Sequence, residues 1–232
     1  MAITENEGFD GYAETYRRIH SQNIRWSGAD SDYFARFKAQ WVMDREGSRG
    51  QRILDIGCGD GAVEASWSDM GADYELVGLD TSAASISMAA RRGLSRCSFQ
   101  HYPGGTLPFA AEQFDVVFLA CVLHHVPFEA HDALLRDAFR VLVNGGRIHI
   151  FEHNPWNPLT RYAVRTCPFD HDARLLRPGY TRSRLRTAGF VSLETRFLLF
   201  FPRYRWTSPL CRLEPALGRV PLGAQYVVSA VK

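Results

Sequence analysis

The chain has 232 residues, 46% of them hydrophobic and 22% charged, with a formal net charge of +2 at pH 7. This composition is typical of a globular protein and excludes the disordered and fibrous classes. The five cysteines form no CxxC pair, and no stretch resembles a signal peptide or a membrane span, so we expect one reduced, cytoplasmic domain.

The first predicted elements are helices within residues 8 to 45. Two apolar stripes there follow a helical period: Tyr12, Tyr16 and Ile19 on one, and Phe34, Phe37 and Trp41 on the other. We expect residues 1 to 48 to form a helical cap over the site, with Tyr16 among the residues that bind substrate.

Short apolar runs then follow at regular intervals. They predict five strands, at residues 52 to 57, 74 to 80, 96 to 101, 114 to 120 and 146 to 152. Helical patterns separate several of them, and the clearest one is closed by an Asn-Gly-Gly sequence. This alternation predicts a parallel sheet with helices on both faces, and ligands bind at the carboxyl ends of the strands in such sheets.

The first predicted strand ends in a glycine-rich turn, DIGCGDGA, at residues 55 to 62. Glycine lets the backbone approach a ligand closely, because it has no Cβ. Gly57 and Gly59 also fit the GxGxx(G/A) dinucleotide pattern, which is weak when it stands alone. Asp55 and Asp60 disfavour the pyrophosphate of a dinucleotide at this turn. They favour a ligand with an ammonium and a sulfonium group.

Asp80 ends the second predicted strand, 19 residues after Gly61. An acid at this strand tip can accept hydrogen bonds from both hydroxyls of a ribose. The alternative is that Asp80 caps the next helix, but Thr81 or Ser82 could fill that position. We therefore predict that Asp80 faces a ligand.

The segment after the fifth strand, residues 152 to 178, is rich in proline and shows no helical stripe. It is longer than most connectors, and long loops at this edge commonly form a lid or a substrate wall. We expect a substrate-side insertion whose contacting residues include Glu152, Asn154, Trp156, Arg161 and His171, with His153 and Asp170 as further polar members. The alternative is a rigid, packed excursion plugged by Trp156 and Phe169.

Residues 179 to 232 predict a helix and two final strands, which brings the sheet to seven strands. From residue 156 onward the chain has 13 Arg or Lys against 4 Asp or Glu. A solvated basic face is the simpler interpretation, and an anionic substrate or a membrane surface is the alternative. The apolar run at residues 197 to 201 has the same two interpretations, as a core strand or as a membrane-surface patch.

Five pieces of the sequence occur in the order found in one family: ILDIGCGDG at 53 to 61, VGLDTS at 77 to 82, LPF and FDVV at 107 to 117, LACVLHHVP at 119 to 127, and FRVLVNGGRIHI at 139 to 150. In these motifs the chain resembles the class I S-adenosylmethionine-dependent methyltransferases, in particular the small-molecule branch of the ubiquinone and menaquinone biosynthesis enzymes. The resemblance implies a Rossmann-like, doubly wound, mostly parallel sheet with an antiparallel last strand. It covers the cofactor-binding core, residues 49 to 151.

The resemblance also implies roles for particular residues. The turn would hold the amino-acid part of S-adenosylmethionine, Asp80 the ribose, and the fourth strand's tip the methionine part. In the family an Asp often precedes LPF and binds adenine, but Pro103 and Gly104 stand here, so Gly105, Thr106 or a backbone carbonyl would hold that base. The predicted cofactor residues are Asp55, Gly57, Cys58, Gly59, Asp80, Thr81, Gly105, Thr106, Ala120 and Cys121.

Three histidines lie at strand ends and are the candidate catalytic residues: His124, His125 and His153. Histidine is suited to remove a proton near neutral pH. We favour His124 or His153 as the base and a structural role for His125. Adjacent histidines point apart unless the backbone bends, so we expect no metal site.

The predicted function is S-adenosylmethionine-dependent O- or C-methylation of a small or lipid-like acceptor. Two alternatives stay open, a nicotinamide-dependent oxidoreductase and a non-catalytic S-adenosylmethionine-binding protein. Nucleic acid is not expected, because the basic residues match no recognition module. Membrane-surface contact is not favoured, and the sequence leaves the oligomeric state open.

Overall fold

A computed structural model describes residues 16 to 170 and 173 to 232. It begins with helix α1 (Tyr16–Ile24), a 3-10 turn (Arg25–Ser27) and helix α2 (Ser31–Glu46). Asp30 caps α2 by accepting a hydrogen bond from the Tyr33 amide at 2.8 Å. Tyr12 and the side chain of Tyr16 lie outside the described part of the chain, so the first predicted stripe and the predicted substrate contact stay untested.

The remaining elements alternate as the apolar pattern predicts. In chain order they are β1 (Arg49–Ile56), α3 (Ala62–Asp69), β2 (Asp73–Asp80), α4 (Ala83–Arg91), β3 (Cys97–His101), β4 (Phe114–Ala120), α5 (Phe128–Val141), β5 (Leu142–His153), α6 (Pro158–Thr166), α7 (Pro178–Thr187), β6 (Val191–Leu198), α8 (Ser208–Cys211), α9 (Glu214–Leu217) and β7 (Gln225–Val231).

The strands form one seven-stranded sheet with the order β3-β2-β1-β4-β5-β7-β6. In this spatial order, the neighbouring strands from β3 through β5 are parallel to one another. Strand β7 runs antiparallel to both of its neighbours, β5 and β6. This topology confirms the predicted fold class. The strand order reverses between β1 and β4, which places a ligand crevice at their carboxyl ends.

Alternate side chains of the central strands point to opposite faces of the sheet, and each face has its own core. On one face, Phe118 and Phe151 pack with Trp41 of α2 and Trp67 of α3. Their neighbours in sequence pack on the other face with α5 and α7. Because α2 is anchored in this way, it extends over the crevice at the strand ends.

Two details of the predicted secondary structure are wrong. The Asn-Gly-Gly sequence does not close α5, because the helix ends at Val141 and β5 begins at Leu142. Gly145 (φ +80°) and Gly146 instead lie at an irregularity in the β4–β5 pairing, where a Cβ on Gly146 would lie 2.9 Å from the Asp115 carbonyl oxygen.

The segment 152 to 178 is not irregular, because it contains α6 and a short 3-10 turn (Pro168–Asp170). Asn157 caps α6 by accepting from the Thr160 amide at 3.0 Å, and Pro158 occupies the first turn. The helix has nine residues, or about two and a half turns. Its apolar pattern is therefore too short to recognise among the prolines.

The apolar run at residues 197 to 201 belongs to the core at its start. Phe197, Leu198 and Leu199 are each less than 10% exposed. No described helix is both long and apolar enough to cross a membrane.

Candidate active site

A cavity of about 1040 Å³ opens at the carboxyl ends of the parallel strands. Residues of the glycine turn, the tips of β2, β4 and β5, and helix α2 line it. The cavity brings together every residue predicted to bind cofactor: Asp55, Gly57, Cys58, Gly59, Asp80, Thr81, Gly105, Thr106, Ala120 and Cys121. It also contains the three predicted catalytic histidines, His124, His125 and His153. The predicted cofactor residues and the predicted catalytic residues thus share one cavity, and their roles stay predictions.

The glycine turn is shaped by contacts that only glycine permits. Gly57 has φ +85°, and a Cβ there would lie 2.3 Å from a methyl group of Val122. Gly59 also has positive φ, but no atom lies within 4 Å of the position its Cβ would take. Gly57 therefore packs the turn against the β4 loop, whereas Gly59 presents bare backbone to the cavity.

Asp80 is oriented by two backbone amides. Its Oδ2 accepts from Gly59 and its Oδ1 from Ser82, both at 2.8 Å. The helix cap is a different residue, because the Ser82 hydroxyl accepts from the Ser85 amide at 3.0 Å. Asp80 therefore links the glycine turn to the start of α4 while it lines the cavity.

Below the turn lies a pair of buried carboxyl groups. Asp55 is 2% exposed and Glu64 is fully buried. Asp55 Oδ1 and both Glu64 carboxylate oxygens have no hydrogen-bond partner among the described residues apart from the other carboxyl group of the pair. Burial, reinforced for Asp55 by the charge of Glu64, raises the pKa of Asp55 well above its usual range and that of Glu64 to about 7.

This pair disfavours an anion and would be stabilised by a cationic ligand. Asp60 contributes less charge than the sequence suggests, because its carboxylate is bound by Arg92 at 2.6 Å. The other carboxyl groups that line the cavity beside the glycines are Asp55 and Asp80.

The loop after β3 forms a second wall. Pro103, Gly104, Gly105 and Thr106 all line the cavity, and the Tyr102 hydroxyl donates a hydrogen bond to the Gly105 carbonyl. Gly104 (φ +97°) and Gly105 (φ +94°) adopt a backbone conformation that favours glycine. Because glycine has no side chain, this part of the wall is bare backbone. The loop therefore offers backbone where the family often has an Asp.

His124 is held by a buried carboxylate. Its side chain is fully buried, and its Nδ1 lies 2.5 Å from Glu152 Oε2. Burial alone would lower the pKa of His124, but the charge and the hydrogen bond of Glu152, together with the charge of Asp170, outweigh burial and raise it. The Nε2 of His124 has no hydrogen-bond partner among the described residues. This nitrogen is therefore the end of the ring that Glu152 does not occupy.

The backbone bends where the two adjacent histidines lie. A 3-10 turn (Leu123–His125) brings the rings of His124 and His125 to 4.2 Å between centroids. His125 Nε2 lies 3.4 Å from Asp170 Oδ1, and the ring of His153 lies 5.2 Å from that of His124. The backbone bend that the sequence analysis named as the exception is present, so the two adjacent rings lie side by side.

Four predicted substrate residues do not line the cavity. Glu152 and Asn154 are buried: Glu152 binds His124, and Asn154 donates to the carbonyls of Pro221 and Gly223. Trp156 is 50% exposed and lies near Phe197, and Arg161 is exposed on α6. Among the residues described between His153 and α7, Asp170 is the one that lines the cavity. His171 lies outside the described residues.

Helix α2 contributes residues that the sequence did not mark as functional. Phe34, Ala35 and Lys38 line the cavity, and Lys38 is only 9% exposed. The available sequence signal was spacing: Lys38 follows Phe34 of the apolar stripe by four residues and so lies on the same face of the helix. Its burial marks it further, since lysine is almost never buried without a partner. Lys38 influences the titration of both Asp55 and His124.

Cys121 has an unusual backbone conformation at the tip of β4, with φ +61°. Burial raises the pKa of its thiol to about 11, so the group stays protonated at neutral pH. Cys121 is therefore part of the cavity wall and does not act as a nucleophile.

Comparison with known proteins agrees with this geometry. A methyltransferase domain model matches residues 53 to 146. The ubiquinone biosynthesis O-methyltransferases of Pseudomonas fluorescens and Pseudomonas aeruginosa are 26% and 28% identical over 196 residues, which is 77% of this chain and 83% of theirs. An S-adenosylmethionine-dependent methyltransferase from Thermotoga maritima has the same fold, with a TM-score of 0.68 at 18% identity over 97% of this chain and 98% of that one.

Proposed function

We propose that this chain, an S-adenosylmethionine-dependent methyltransferase, transfers the methyl group to an acidic hydroxyl, phenolic or enolic, of a small or lipid-like acceptor. The observation that carries the proposal is the location of the histidine cluster: His124, His125 and His153 line the same cavity as the glycine turn. Relatives named as O-methyltransferases support oxygen as the accepting atom.

The cavity wall suits the cofactor part by part. Gly59 offers open backbone, Asp55 and Glu64 favour a cation, and the carboxylate of Asp80 is already oriented. We assign Asp55 and the glycine turn to the amino-acid part, Asp80 to the ribose, and Gly105 and Thr106 to adenine. S-Adenosylmethionine supplies an electrophilic methyl carbon, and its carbon–sulfur bond breaks with the electron pair left on sulfur as the acceptor oxygen bonds to that carbon.

A histidine base restricts the class of acceptor. Imidazole titrates near pH 6.5 and a phenol near pH 10, so proton transfer between them costs little compared with an aliphatic alcohol. We assign the proton to an imidazole of the cluster: to His124, oriented by Glu152, or to His153 beside it. The remaining wall residues hold the oxygen in line with the methyl group, which supplies much of the rate.

Asp55, with Glu64 buried behind it, separates this function from the nicotinamide alternative raised by the sequence. A nicotinamide cofactor would place a pyrophosphate at the glycine turn, where an anion next to Asp55 is disfavoured. The methyltransferase relatives likewise favour catalysis over binding alone.

Single-turnover methyl transfer tests the proposal. The protein is mixed with S-adenosylmethionine carrying a labelled methyl group and a panel of soluble dihydroxybenzoates. We expect an O-methylated product and a rate about 10²- to 10⁴-fold lower in the variant that loses the base, His124→Ala or His153→Ala.

His101→Ala is the matched control, because His101 is exposed and does not line the cavity. Equal rates in all three variants would contradict a histidine base. Binding of S-adenosylhomocysteine without product from any hydroxyl acceptor would contradict the proposed acceptor class.

A further inference from the structure

The histidine cluster contains a buried atom that hydrogen bonding within the described residues does not explain. His124 Nε2 is shielded from solvent and has no partner, although an unsatisfied buried polar atom costs about 1 to 3 kcal/mol. Glu152 binds the opposite nitrogen at 2.5 Å. A proton on Nδ1 toward Glu152 leaves Nε2 with a lone pair directed away from the carboxylate.

Two further residues bring donor atoms close to the ring of His124. One ring nitrogen each from His124 and His125 and one Asp170 oxygen lie within 4.8 Å of one another. His125 Nε2 and Asp170 Oδ1 are 3.4 Å apart. Two ligands of a tetrahedral zinc ion, each about 2.0 Å from the metal, are about 3.3 Å apart, so this pair already has the spacing of a metal site.

The surroundings match those of known metal ligands. A histidine ligand is usually oriented by a carboxylate on its other nitrogen, which is the place of Glu152. The charges of Glu152 and Asp170 match that of a divalent ion, although Lys38, which also faces His124, adds one further positive charge. A 3-10 turn, and not a flexible loop, sets the relative position of the two imidazoles.

We propose that His124, His125 and Asp170 form a site for a divalent first-row transition metal ion, with Glu152 as the positioning residue of His124. Two imidazoles and one carboxylate suit Zn²⁺, Co²⁺ or Fe²⁺ and not Mg²⁺, which prefers oxygen ligands. Three protein ligands would leave at least one coordination position for a further ligand, and all three residues line the cavity that holds the glycine turn.

The site would have a defined task, which rests on the proposed function. An acceptor hydroxyl at the open position becomes more acidic when it binds the ion. Because His124 Nε2 is then a metal ligand, His153 receives the hydroxyl proton, and the acceptor oxygen is held next to the methyl group. The ion is not consumed, and no redox step takes place.

Cobalt titration tests the site without any need for catalysis. The full-length chain, stripped with a chelator, is titrated with Co²⁺ without cofactor or acceptor, and the visible d–d absorption of protein-bound Co²⁺ is recorded. We expect one ion per chain, displaced by one equivalent of Zn²⁺. His125→Ala and Asp170→Asn should weaken binding about 100-fold, and Glu152→Gln about 10- to 100-fold.

His101→Ala is again the matched control and should bind Co²⁺ like the wild type, because His101 is exposed and outside the cluster. Binding of S-adenosylhomocysteine by each variant reports that the cofactor side of the cavity remains folded. Absence of stoichiometric Co²⁺ binding, or equal binding by Asp170→Asn and His101→Ala, would overturn the site.

The two proposals fail in different ways. If chelated protein methylates a dihydroxybenzoate at the undiminished rate, the metal proposal is wrong and the proposed function stands. If the chain binds one Co²⁺ through the three ligands but methylates no hydroxyl acceptor, the site stands and its assigned task is wrong.

Discussion

At the scale of single residues, the glycine turn shows how one missing methyl group shapes a site. Gly57 and Gly93 both have positive φ, +85° and +62°. A Cβ on Gly57 would lie 2.3 Å from Val122, whereas a Cβ on Gly93 would meet nothing within 4 Å. Backbone strain is therefore common to both positions, and the steric collision belongs to Gly57 alone.

We predict that Gly57→Ala lowers the free energy of unfolding by about 1 to 3 kcal/mol more than Gly93→Ala, since the excess is the cost of overpacking. Both variants share the cost of about 1 to 2 kcal/mol for a left-handed alanine. Urea unfolding of the two variants measures the difference. Equal destabilisation would show that Val122 moves aside and that strain alone requires glycine at this position.

The histidines were only partly predictable at this scale. Their positions at strand ends follow from the apolar pattern, but the ring separation of His124 and His125 depends on a turn that no residue type marks. Asp170 was included only as one polar residue among several in its segment. Its 3.4 Å approach to His125 results from long-range packing, because the two residues are 45 positions apart.

At the scale of elements, the start of α4 connects helix stability with the ligand edge. Ser82 is 2% exposed and caps α4 through the Ser85 amide at 3.0 Å. The same residue donates its own amide to Asp80. The sequence alone could not assign the helix cap and the ligand-facing acid among Asp80, Thr81 and Ser82. These two hydrogen bonds make Ser82 the cap and leave Asp80 at the cavity.

We predict that Ser82→Ala destabilises the protein by about 1 kcal/mol, which is the usual cost of losing such a cap. Ser87→Ala in the same helix is the control, because Ser87 is exposed and alanine has the higher helix propensity. Thermal unfolding distinguishes them: the cap variant should melt lower and the control at or above the wild type. A Ser82→Ala variant as stable as the control would exclude a role for the cap.

The segment between β5 and α7 corrects the sequence prediction at this scale. Its proline content and lack of periodicity indicated a loop, but Asn157 and Pro158 are a helix start, and α6 follows. The segment reaches the site at Asp170 and is tied back to the C-terminal strand region, where Thr160 donates to the Ala224 carbonyl at 2.8 Å. It is therefore packed like the excursion that the sequence analysis gave as the alternative, but Trp156, which is 50% exposed, does not plug it.

At the scale of the whole molecule, the buried carboxyl pair makes stability depend on pH. Asp55 lies near the carboxyl end of β1 and Glu64 lies in the first turn of α3, so the pair spans the junction of sheet and helix. A carboxyl group whose pKa is raised in the folded state keeps its proton there at a pH where the unfolded chain has lost it. Stability from this source is complete below the unfolded pKa, near 4.5, and is lost as the pH rises to about 7.

We predict that the free energy of unfolding of the wild type falls between pH 5 and 7 and that Glu64→Gln reduces this fall. Glu75→Gln is the matched control, because Glu75 is exposed on β2 and its replacement should leave the pH profile unchanged. Urea unfolding across that range measures all three proteins. Parallel profiles for wild type and Glu64→Gln would mean that Glu64 is ionised in the folded protein at pH 5.

The sequence by itself determined the fold class, the chain order of the parallel strands and the edge of the sheet where the cavity opens. These follow from local periodicity and from glycines at strand ends, because the spacing of apolar residues along the chain distinguishes strands from helices. Only the tertiary structure decided which side chains meet: Lys38 from α2, Glu152 behind His124, and Asp170 beside His125. Such contacts join distant parts of the chain through packing, and no local pattern encodes their distances.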